Sequence, residues 1–402
     1  MDRRKFIGLT TGSAGIASFG LPLSGIAQTL LGISAEDNQE LGKHRITKAE
    51  VLEVNYRWPR FVGKNGRIDF HGQDHKSTVL KLYTDQGAMG WGLSGQDAKK
   101  LIPAIQNKKI SELITPEHGL IEGLDRSVDF ALHDLMGVIL NKPVYQLLGS
   151  KGPRETPVYS GMIYLDELNP GNESKSLNII LENCEWDYNY GYRMLKVKIG
   201  RSGRWYPHNQ GLDKDIEVVK LIHNAYKGKD TQLLIDSNDM YSLEDTIDFL
   251  KGINDIPLFW VEEPFREAIE PGRKLKEWMN QNGFEKTYYA DGEANPDYDV
   301  CMQLGKEKVM DVFLDDVYGV GFSGWTRLMA KLKKMNMLAS PHAWGDRLKT
   351  HYIAHLSSGL GNVTTIEGVT CLSDEIDYGD YPIVNGMLRV SNAPGFGMKL
   401  LV

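Results

Sequence analysis

Met194-Leu-Lys-Val-Lys-Ile-Gly200 is the stretch of sequence around which the rest of the chain can be arranged. Its apolar residues favour a β-strand, and Gly200 ends the run. Because side chains alternate faces along a strand, Lys196 and Lys198 point the same way. Two neighbouring ammonium groups on a buried face disfavour each other's charge, so we expect the pKa of one to fall, and such a lysine can act as a base. A solvated edge strand with two surface lysines is the alternative interpretation.

Short apolar runs alternate with amphipathic helices on both sides of that stretch. We predict eight strands of this kind, at Val158–Ile163, Met194–Ile199, Leu233–Asp236, Leu258–Glu262, Tyr288–Ala290, Val309–Leu314, Met337–Ala339 and Val363–Ile366. Eight strands with intervening helices predict an α/β fold, a (β/α)7β TIM-like barrel over residues 157–370. An open doubly wound sheet is the alternative arrangement.

The residues before the barrel show a different spacing of apolar side chains. Alternating apolar residues predict strands at 46–56 and 77–84, and a helical spacing of apolar residues follows from Leu124 to Ile139. We therefore predict an α+β domain over 46–156, with the segment 371–402 packing back on it. The polar segment from Trp58 to His75 is interpreted either as a flexible loop over a site or as a solvated loop.

The first residues are predicted to form an export signal rather than part of the fold. Met1-Asp-Arg-Arg-Lys-Phe-Ile-Gly8 resembles a twin-arginine signal, and a Gly/Ala/Ser-rich run follows to about Ala27. This run is too short and too interrupted to span a bilayer stably. We predict a signal peptide over 1–27, a polar linker over 28–45, a periplasmic location and no membrane anchoring.

The composition disfavours several classes of function. The chain has 402 residues and a formal net charge of −7, without a basic block that would suit nucleic acid. Cys184, Cys301 and Cys371 lie far apart and lack C-x-x-C spacing. A zinc site or a disulfide framework is therefore not expected.

Polar and ionisable side chains collect where the predicted strands end. They are Lys196 and Lys198 on the second strand, Asp236 and then Asn238 at the third, Glu262 and Glu263 at the fourth, Glu293 after the fifth, Asp315 and Asp316 at the sixth, His342 after the seventh and Glu367 at the eighth. The carboxyl ends of the strands in a parallel barrel share one rim, which holds active sites. Carboxylates from three neighbouring strands suit a hard divalent cation such as Mg²⁺.

Taken in this order, the motifs resemble the enolase superfamily, mandelate racemase subgroup. The resemblance covers roughly residues 46–402. It is carried by Ala131-Leu-His-Asp-Leu-Met-Gly137, by the Lys-Val-Lys, Val-Glu-Glu-Pro and Asp-Gly-Glu motifs, and by Ser340-Pro-His342. It implies that the α+β domain caps the barrel and is completed by the C-terminal segment.

The resemblance also implies a metal centre. Asp236, Glu262 and Glu293 would bind Mg²⁺, with Glu262 preferred over Glu263 because of its place in E-x-P. Mg²⁺ beside a substrate carboxylate would stabilise the enediolate formed when the α-proton leaves.

The same resemblance implies two opposing acid/base groups. Lys198 would be one base, supported by Lys196, and His342 would be the other. Asp315 would orient His342, although counting along the sequence leaves Asp316 as a possible partner.

Further residues are expected to contact the substrate. Arg60 and His71 lie in the polar segment 58–75, and Asn238 follows the third strand. Their donors suit a hydroxyl-rich substrate. Glu367 would bond the substrate or act as an acid.

The expected reaction is dehydration of an acid sugar, an aldonate or aldarate, to a 2-keto-3-deoxy acid. The alternatives are a racemase or epimerase of a 2-hydroxy acid and, more remotely, a non-catalytic periplasmic sugar-acid-binding protein. We expect a homo-oligomer.

Two further features stand outside this interpretation. Gly319-Val-Gly-Phe-Ser-Gly324, with Asp346 downstream, fits the G-x-G-x-x-G pattern of a nicotinamide oxidoreductase, but it follows the sixth predicted strand rather than the first. The loop 201–212 lengthens the connection between Lys198 and Asp236, and it would reach either the substrate or an oligomer contact.

Overall fold

The structure is a computed structural model that describes residues 35–172 and 174–402. The predicted signal peptide, residues 1–27 with Arg3 and Arg4, lies outside the described residues. Within the predicted linker, Ala35–Leu41 forms a helix, α1. Leu41 is fully buried in the cap core, and its burial stabilises the packing of α1 on the cap.

An antiparallel sheet with the order β1-β2-β3 forms the first layer. Its strands are β1 (Ile46–Val62), β2 (Gly72–Thr84) and β3 (Met89–Leu93). Half of the segment 58–75, interpreted as a loop, therefore belongs to the ends of β1 and β2, and residues 63–71 form the connection. Trp58 and Val62 are buried, so the alternation of inward side chains continues beyond the predicted end at Tyr56.

Helices cover this sheet. They are α2 (Ala98–Ile105), α3 (Asp129–Ile139) and α4 (Val144–Leu147), with the short strands β4 (Ile114–Thr115) and β5 (Gly119–Leu120) between α2 and α3. A Cβ on Gly90 of β3 would lie 2.4 Å from the Leu135 backbone of α3. Glycine thus allows this close packing of helix on strand.

Eight parallel strands follow and close on themselves. They are β6 (Glu155–Ile163), β7 (Met194–Lys198), β8 (Gln232–Asp236), β9 (Leu258–Glu262), β10 (Tyr288–Asp291), β11 (Val312–Phe313), β12 (Leu338–Ala339) and β13 (Ile366–Gly368). They pair in chain order, β13 pairs with β6, and Ala339 bridges Val363. The predicted barrel is confirmed, and the open doubly wound sheet is wrong.

The barrel strands are surrounded by helices. These are α5 (Asn178–Tyr190), α6 (His208–Tyr226), α7 (Leu243–Ile253), α8 (Ile269–Gln281), α9 (Tyr298–Lys306), α10 (Val317–Val320), α11 (Phe322–Met335) and α12 (Arg347–Leu360). Apolar residues of the helices and strands form the cores between these layers. None of the helices among the described residues is long and apolar enough to cross a bilayer.

The C-terminal segment runs back along the barrel and the cap. It contains β14 (Ile376–Asp377), β15 (Ile383–Val384), β16 (Met387–Arg389) and β17 (Lys399–Leu400). Strand β16 pairs antiparallel with β6, and Leu372 bridges Arg57 of β1. Asp134 of α3 accepts backbone hydrogen bonds from Phe396 (2.8 Å) and Trp91 (3.0 Å), so one carboxylate joins three segments.

Candidate active site

The carboxyl ends of β7, β8 and β9 place their last residues side by side. Lys198 is in register with Asp236, and Asp236 is in register with Glu262. Glu293 follows β10, the next strand of the barrel. The ionisable residues predicted at successive strand ends therefore meet at one rim.

Asp236, Glu262 and Glu293 form the candidate metal centre. One carboxylate oxygen of each lies within 4.8 Å of the other two. Glu262 Oε2 and Glu293 Oε2 are buried without a hydrogen-bond partner in the structure. Burial and the neighbouring Asp236 charge raise the pKa of Glu262 well above its usual value. Clustered oxygens with unused lone pairs in a buried site fit a divalent cation.

Glu263 faces a different group of residues from Glu262. Its Oε2 lies 3.4 Å from Asn238 Nδ2, and it clusters with Asp239 and Asp291. Asp239 is paired with Arg67 of the cap. The structure therefore directs Glu262, rather than Glu263, to the three-carboxylate centre.

The two lysines reach into the same centre from β7. Lys196 Nζ lies 2.8 Å from Glu262 Oε1, 3.2 Å from Asp236 Oδ2 and 3.1 Å from Glu367 Oε1. Lys198 Nζ donates to Asp236 Oδ2. Both side chains are nearly inaccessible to solvent. The interpretation as a solvated edge strand is wrong, because β7 lies inside the barrel.

The predicted fall in a lysine pKa is not found. Burial lowers the pKa of Lys198 and the Lys196 charge lowers it further, but Asp236, Glu293 and Glu262 outweigh both and raise it. Burial also acts to lower the pKa of Lys196, and Glu262 and Glu367 raise it well above its ordinary value. The two ammonium groups alone would depress each other's charge, but in the folded protein carboxylates surround both of them.

His342 approaches the centre from the opposite side. Its Nε2 lies 3.1 Å from Glu293 Oε1 and 3.6 Å from Glu367 Oε2. Burial acts to lower the pKa of His342, but Glu293, Glu367 and Asp316 outweigh burial and raise it. Glu367 is anchored because the Ala343 N–H donates to its Oε2 at 2.7 Å.

The predicted partner of His342 is corrected by the structure. His342 Nδ1 lies 3.1 Å from Asp316 Oδ2, whereas Asp315 accepts a hydrogen bond from the Tyr298 hydroxyl. Asp315 is thus turned toward α9, and Asp316, the alternative left open by the sequence, orients the imidazole. Asp316 also caps α10 by accepting from Tyr318 and Gly319 N–H.

Arg60, predicted to bind the substrate, is bonded to other residues of the protein in the structure. Its guanidinium makes two 2.8 Å hydrogen bonds to the Asp187 carboxylate and donates to Met162 O. Asp187 is fully buried, so Arg60 serves as its counter-charge. Sequence reasoning could not detect a partner 127 residues away.

The other two predicted substrate residues lie near the centre. His71 Nδ1 is 2.6 Å from Gly63 O, and its ring lies 4.7 Å from that of Tyr164. Burial lowers the pKa of His71, and the Lys198 charge lowers it further. The Asn238 N–H donates to Asp236 Oδ1 at 3.0 Å, and its side-chain Oδ1 is buried without a partner.

The sequence did not predict a cluster of three aromatic side chains, which are those of Trp58, Tyr164 and Trp344. Trp344 lies two residues after His342, and its ring centroid is 4.9 Å from those of both Trp58 and Tyr164. Lys198 Nζ lies 5.6 Å from the Tyr164 ring centroid. Trp58 Nε1 donates to Gly345 O, which ties the cap to the loop that carries His342.

The inserted loop after β7 contacts the cap. Trp205 Nε1 donates to Asn65 O and Arg204 donates to Arg67 O, each at 2.7 Å. Lys64 Nζ lies 4.0 Å from the Trp205 ring centroid. The loop therefore holds the connection between β1 and β2 at residues 63–71.

The glycine motif 319–324 is used for packing. The N–H and hydroxyl of Ser323, in the first turn of α11, both donate to Asp129 of α3 at 2.8 Å. This helix start thus faces a cap carboxylate, which leaves no support for the nicotinamide interpretation.

Comparison with known proteins agrees with this geometry. The family model of the Enolase C-terminal domain-like family matches residues 180–401. Arabinonate dehydratase of Saccharolobus solfataricus is 25% identical over 287 residues, which cover 68% of each chain. A mutant of galacturonate dehydratase from a Geobacillus species, solved in complex with Mg, is 27% identical with a TM-score of 0.84, covering 90% of this chain and 94% of that one.

A relative with a different reaction is also similar. N-succinyl-L-Arg/Lys racemase of Bacillus cereus is 24% identical over 213 residues, which cover 48% of this chain and 52% of the racemase. Similarity therefore extends to lyases and isomerases.

Proposed function

The chain belongs to the Enolase C-terminal domain-like family, and from that premise we propose that it dehydrates an acid sugar, an aldonate or aldarate, to a 2-keto-3-deoxy acid. The observation that carries the proposal is the placement of two proton-transfer groups on either side of three carboxylates. Lys198 contacts Asp236 at one end of the carboxylate group, and His342 contacts Glu293 at the other. The similarity to arabinonate and galacturonate dehydratases supports a sugar acid as the substrate class.

Asp236, Glu262 and Glu293 would hold the Mg²⁺ on which the family depends. When bound, Mg²⁺ supplies positive charge that stabilises the negative charge developing on the substrate carboxylate as the α-proton leaves. The remaining chemistry belongs to the side chains. Lys198 or His342 would accept the α-proton, according to the configuration of the α-carbon. For Lys198 this requires that metal binding offset the carboxylate charges that raise its pKa.

The opposite group completes the elimination. It donates a proton to the β-hydroxyl, which leaves as water when its carbon–oxygen bond breaks. The electron pair of the broken C–H bond forms the double bond of an enol. The enol takes up a proton at C3, loses the proton of its C2 hydroxyl and becomes the 2-keto acid. Glu367 would bond the substrate, and its contacts with Ala343, Lys196 and His342 support this role.

Racemisation or epimerisation is the second candidate, because it needs the same two groups and the Bacillus cereus racemase is similar over about half of this chain. The two reactions differ in whether the β-hydroxyl departs. A polar neighbour for that hydroxyl, Glu367 beside His342, favours elimination.

A substrate screen tests the proposal. The purified protein is incubated with Mg²⁺ and a library of aldonate and aldarate diastereomers, and 2-keto acid is measured. We expect at least one diastereomer to give a 2-keto-3-deoxy acid, and none to do so with His342→Asn. Deuterium uptake at the α-carbon without keto acid, across the library, would replace dehydration by epimerisation.

We also propose that the protein is exported, on the basis of Arg3, Arg4 and the Gly/Ala-rich run to about residue 27. Changing both arginines to lysine should retain the precursor in the cytoplasm. Unchanged export of that variant would contradict the route. The expectation of a homo-oligomer stays a prediction, which light scattering of the purified protein measures.

A further inference from the structure

Lys349 reaches the acid/base centre from the first turn of α12. Its Nζ lies 2.8 Å from Asp316 Oδ2 and donates to Trp344 O at 3.1 Å. The side chain is only 17% exposed, so much of its length is packed against other residues. Lys349 thus touches both the partner of His342 and the loop that carries His342.

The Asp316 carboxylate is fixed from several directions. Its Oδ1 accepts from the Tyr318 N–H (2.9 Å) and the Gly319 N–H (2.8 Å), and its Oδ2 lies against Lys349 and His342. Burial acts to raise the pKa of Asp316, but the His342 hydrogen bond and the Lys349 charge outweigh burial and lower it. An ionised carboxylate with all these donors in place has little freedom to rotate.

We propose that Lys349 is a positioning residue for His342. By holding Asp316 Oδ2 and the Trp344 carbonyl, it fixes the imidazole so that Nε2 faces Glu293 and Glu367. The consequence for catalysis rests on the proposed function, because a proton-transfer group must be aligned with the atom that it serves. The orientation of the ring itself does not depend on which substrate is used.

The chain offers a closely matched control for this ion pair. Lys276 Nζ lies 2.6 Å from Asp311 Oδ2, and the two side chains are 14% and 21% exposed, compared with 17% and 22% for Lys349 and Asp316. Asp311 lies before β11, at the end of the strand opposite to Asp316. Lys276→Met therefore removes a comparable ion pair away from His342.

The first test observes His342 directly in the full-length, Mg²⁺-loaded protein. Histidine is labelled with ¹⁵N, and the His342 signals are assigned by their loss in His342→Gln. We expect Lys349→Met to shift or broaden these signals, Lys349→Arg to preserve them, and Lys276→Met to leave them unchanged. Unchanged His342 signals in Lys349→Met would overturn the proposal. If that variant does not fold, Lys349→Gln decides by the same criterion.

The second test uses turnover of whichever acid sugar the native protein dehydrates. Lys349→Met should lower kcat by about tenfold to a hundredfold with little change in KM, and Lys349→Arg should recover most of the loss. An equal loss in Lys276→Met would mean that Lys349 is only structural. If the native protein dehydrates no acid sugar, the proposed function fails, while the ¹⁵N signals still decide the position of the ring.

Discussion

At the scale of single residues, the site depends on which of two adjacent side chains turns inward. Asp315 and Asp316 both follow β11, but Asp315 bonds Tyr298 and Asp316 bonds His342. Glu262 and Glu263 show the same division, since Glu262 contacts Lys196 and Glu263 contacts Asn238. In each pair, a substitution of the residue that faces the centre tests its role, and the same substitution of its neighbour is the control.

The first prediction concerns the partner of His342. Asp316→Asn should reduce kcat on the order of a hundredfold or more, because the amide no longer fixes the imidazole tautomer or stabilises its charged form. Asp315→Asn should change kcat by only a few fold. Steady-state kinetics of the two variants measure this difference, and a larger loss in Asp315→Asn would restore the original sequence interpretation.

The second prediction concerns the metal. Glu262→Gln should weaken Mg²⁺ binding at least tenfold, because a neutral amide replaces a charged oxygen ligand. Glu263→Gln should have a clearly smaller effect. Titration calorimetry with Mg²⁺ measures both affinities. Equal weakening by the two substitutions would mean that the wrong glutamate has been assigned to the centre.

At the scale of secondary-structure elements, buried polar contacts hold the C-terminal segment to the cap. Asp134 is the clearest case, because α3, β3 and the C-terminal segment all meet at its carboxylate. Burial raises the pKa of Asp134 to about 7, despite the two N–H donors. The protonated form is therefore favoured in the folded protein more than in the unfolded chain.

The third prediction follows from this linkage. Because the pKa of Asp134 is raised in the folded protein, its proton stabilises the fold fully at a pH below the pKa of the same carboxyl in the unfolded chain. This stabilisation is lost as pH rises through about 7. Between pH 4 and pH 7 the free energy of unfolding should fall relative to Asp134→Asn, by at most about 1.4 kcal/mol per pH unit. Denaturant unfolding of both proteins, each with Mg²⁺, measures the two slopes. The same pH dependence of the unfolding free energy in both proteins would contradict a raised pKa of Asp134.

Sequence reasoning succeeded for elements whose pattern is local. The barrel strands are short apolar runs, and the shared rim of a parallel barrel brings their last residues together. The hairpin of β1 and β2 was predicted too short, because the pairing of residues 57–62 and 72–75 depends on the barrel and the C-terminal segment that bury Trp58 and Val62. The contacts of Arg60 and Lys349 were not predicted, because their partners Asp187 and Asp316 lie far away in the sequence.

At the scale of the whole molecule, cap and barrel act together on one centre. The barrel supplies Lys198, the three carboxylates and His342, and the cap supplies Trp58 and His71 above them. The inserted loop after β7 secures the cap through Asn65 and Arg67. The burial of Lys198, Asp236 and Glu262 suits an elimination in which the leaving hydroxyl must meet a proton donor away from bulk water.

The most direct test of the account follows one reaction by NMR in D₂O. The acid sugar found in the screen is incubated with Mg²⁺ and the native protein, Lys198→Ala or His342→Asn. We predict that the native protein gives a 2-keto-3-deoxy acid carrying solvent deuterium at C3, and that neither variant forms it at a comparable rate. Recovery of the substrate with deuterium at the α-carbon and its β-hydroxyl intact, with no keto acid released, would contradict dehydration as the function of this site.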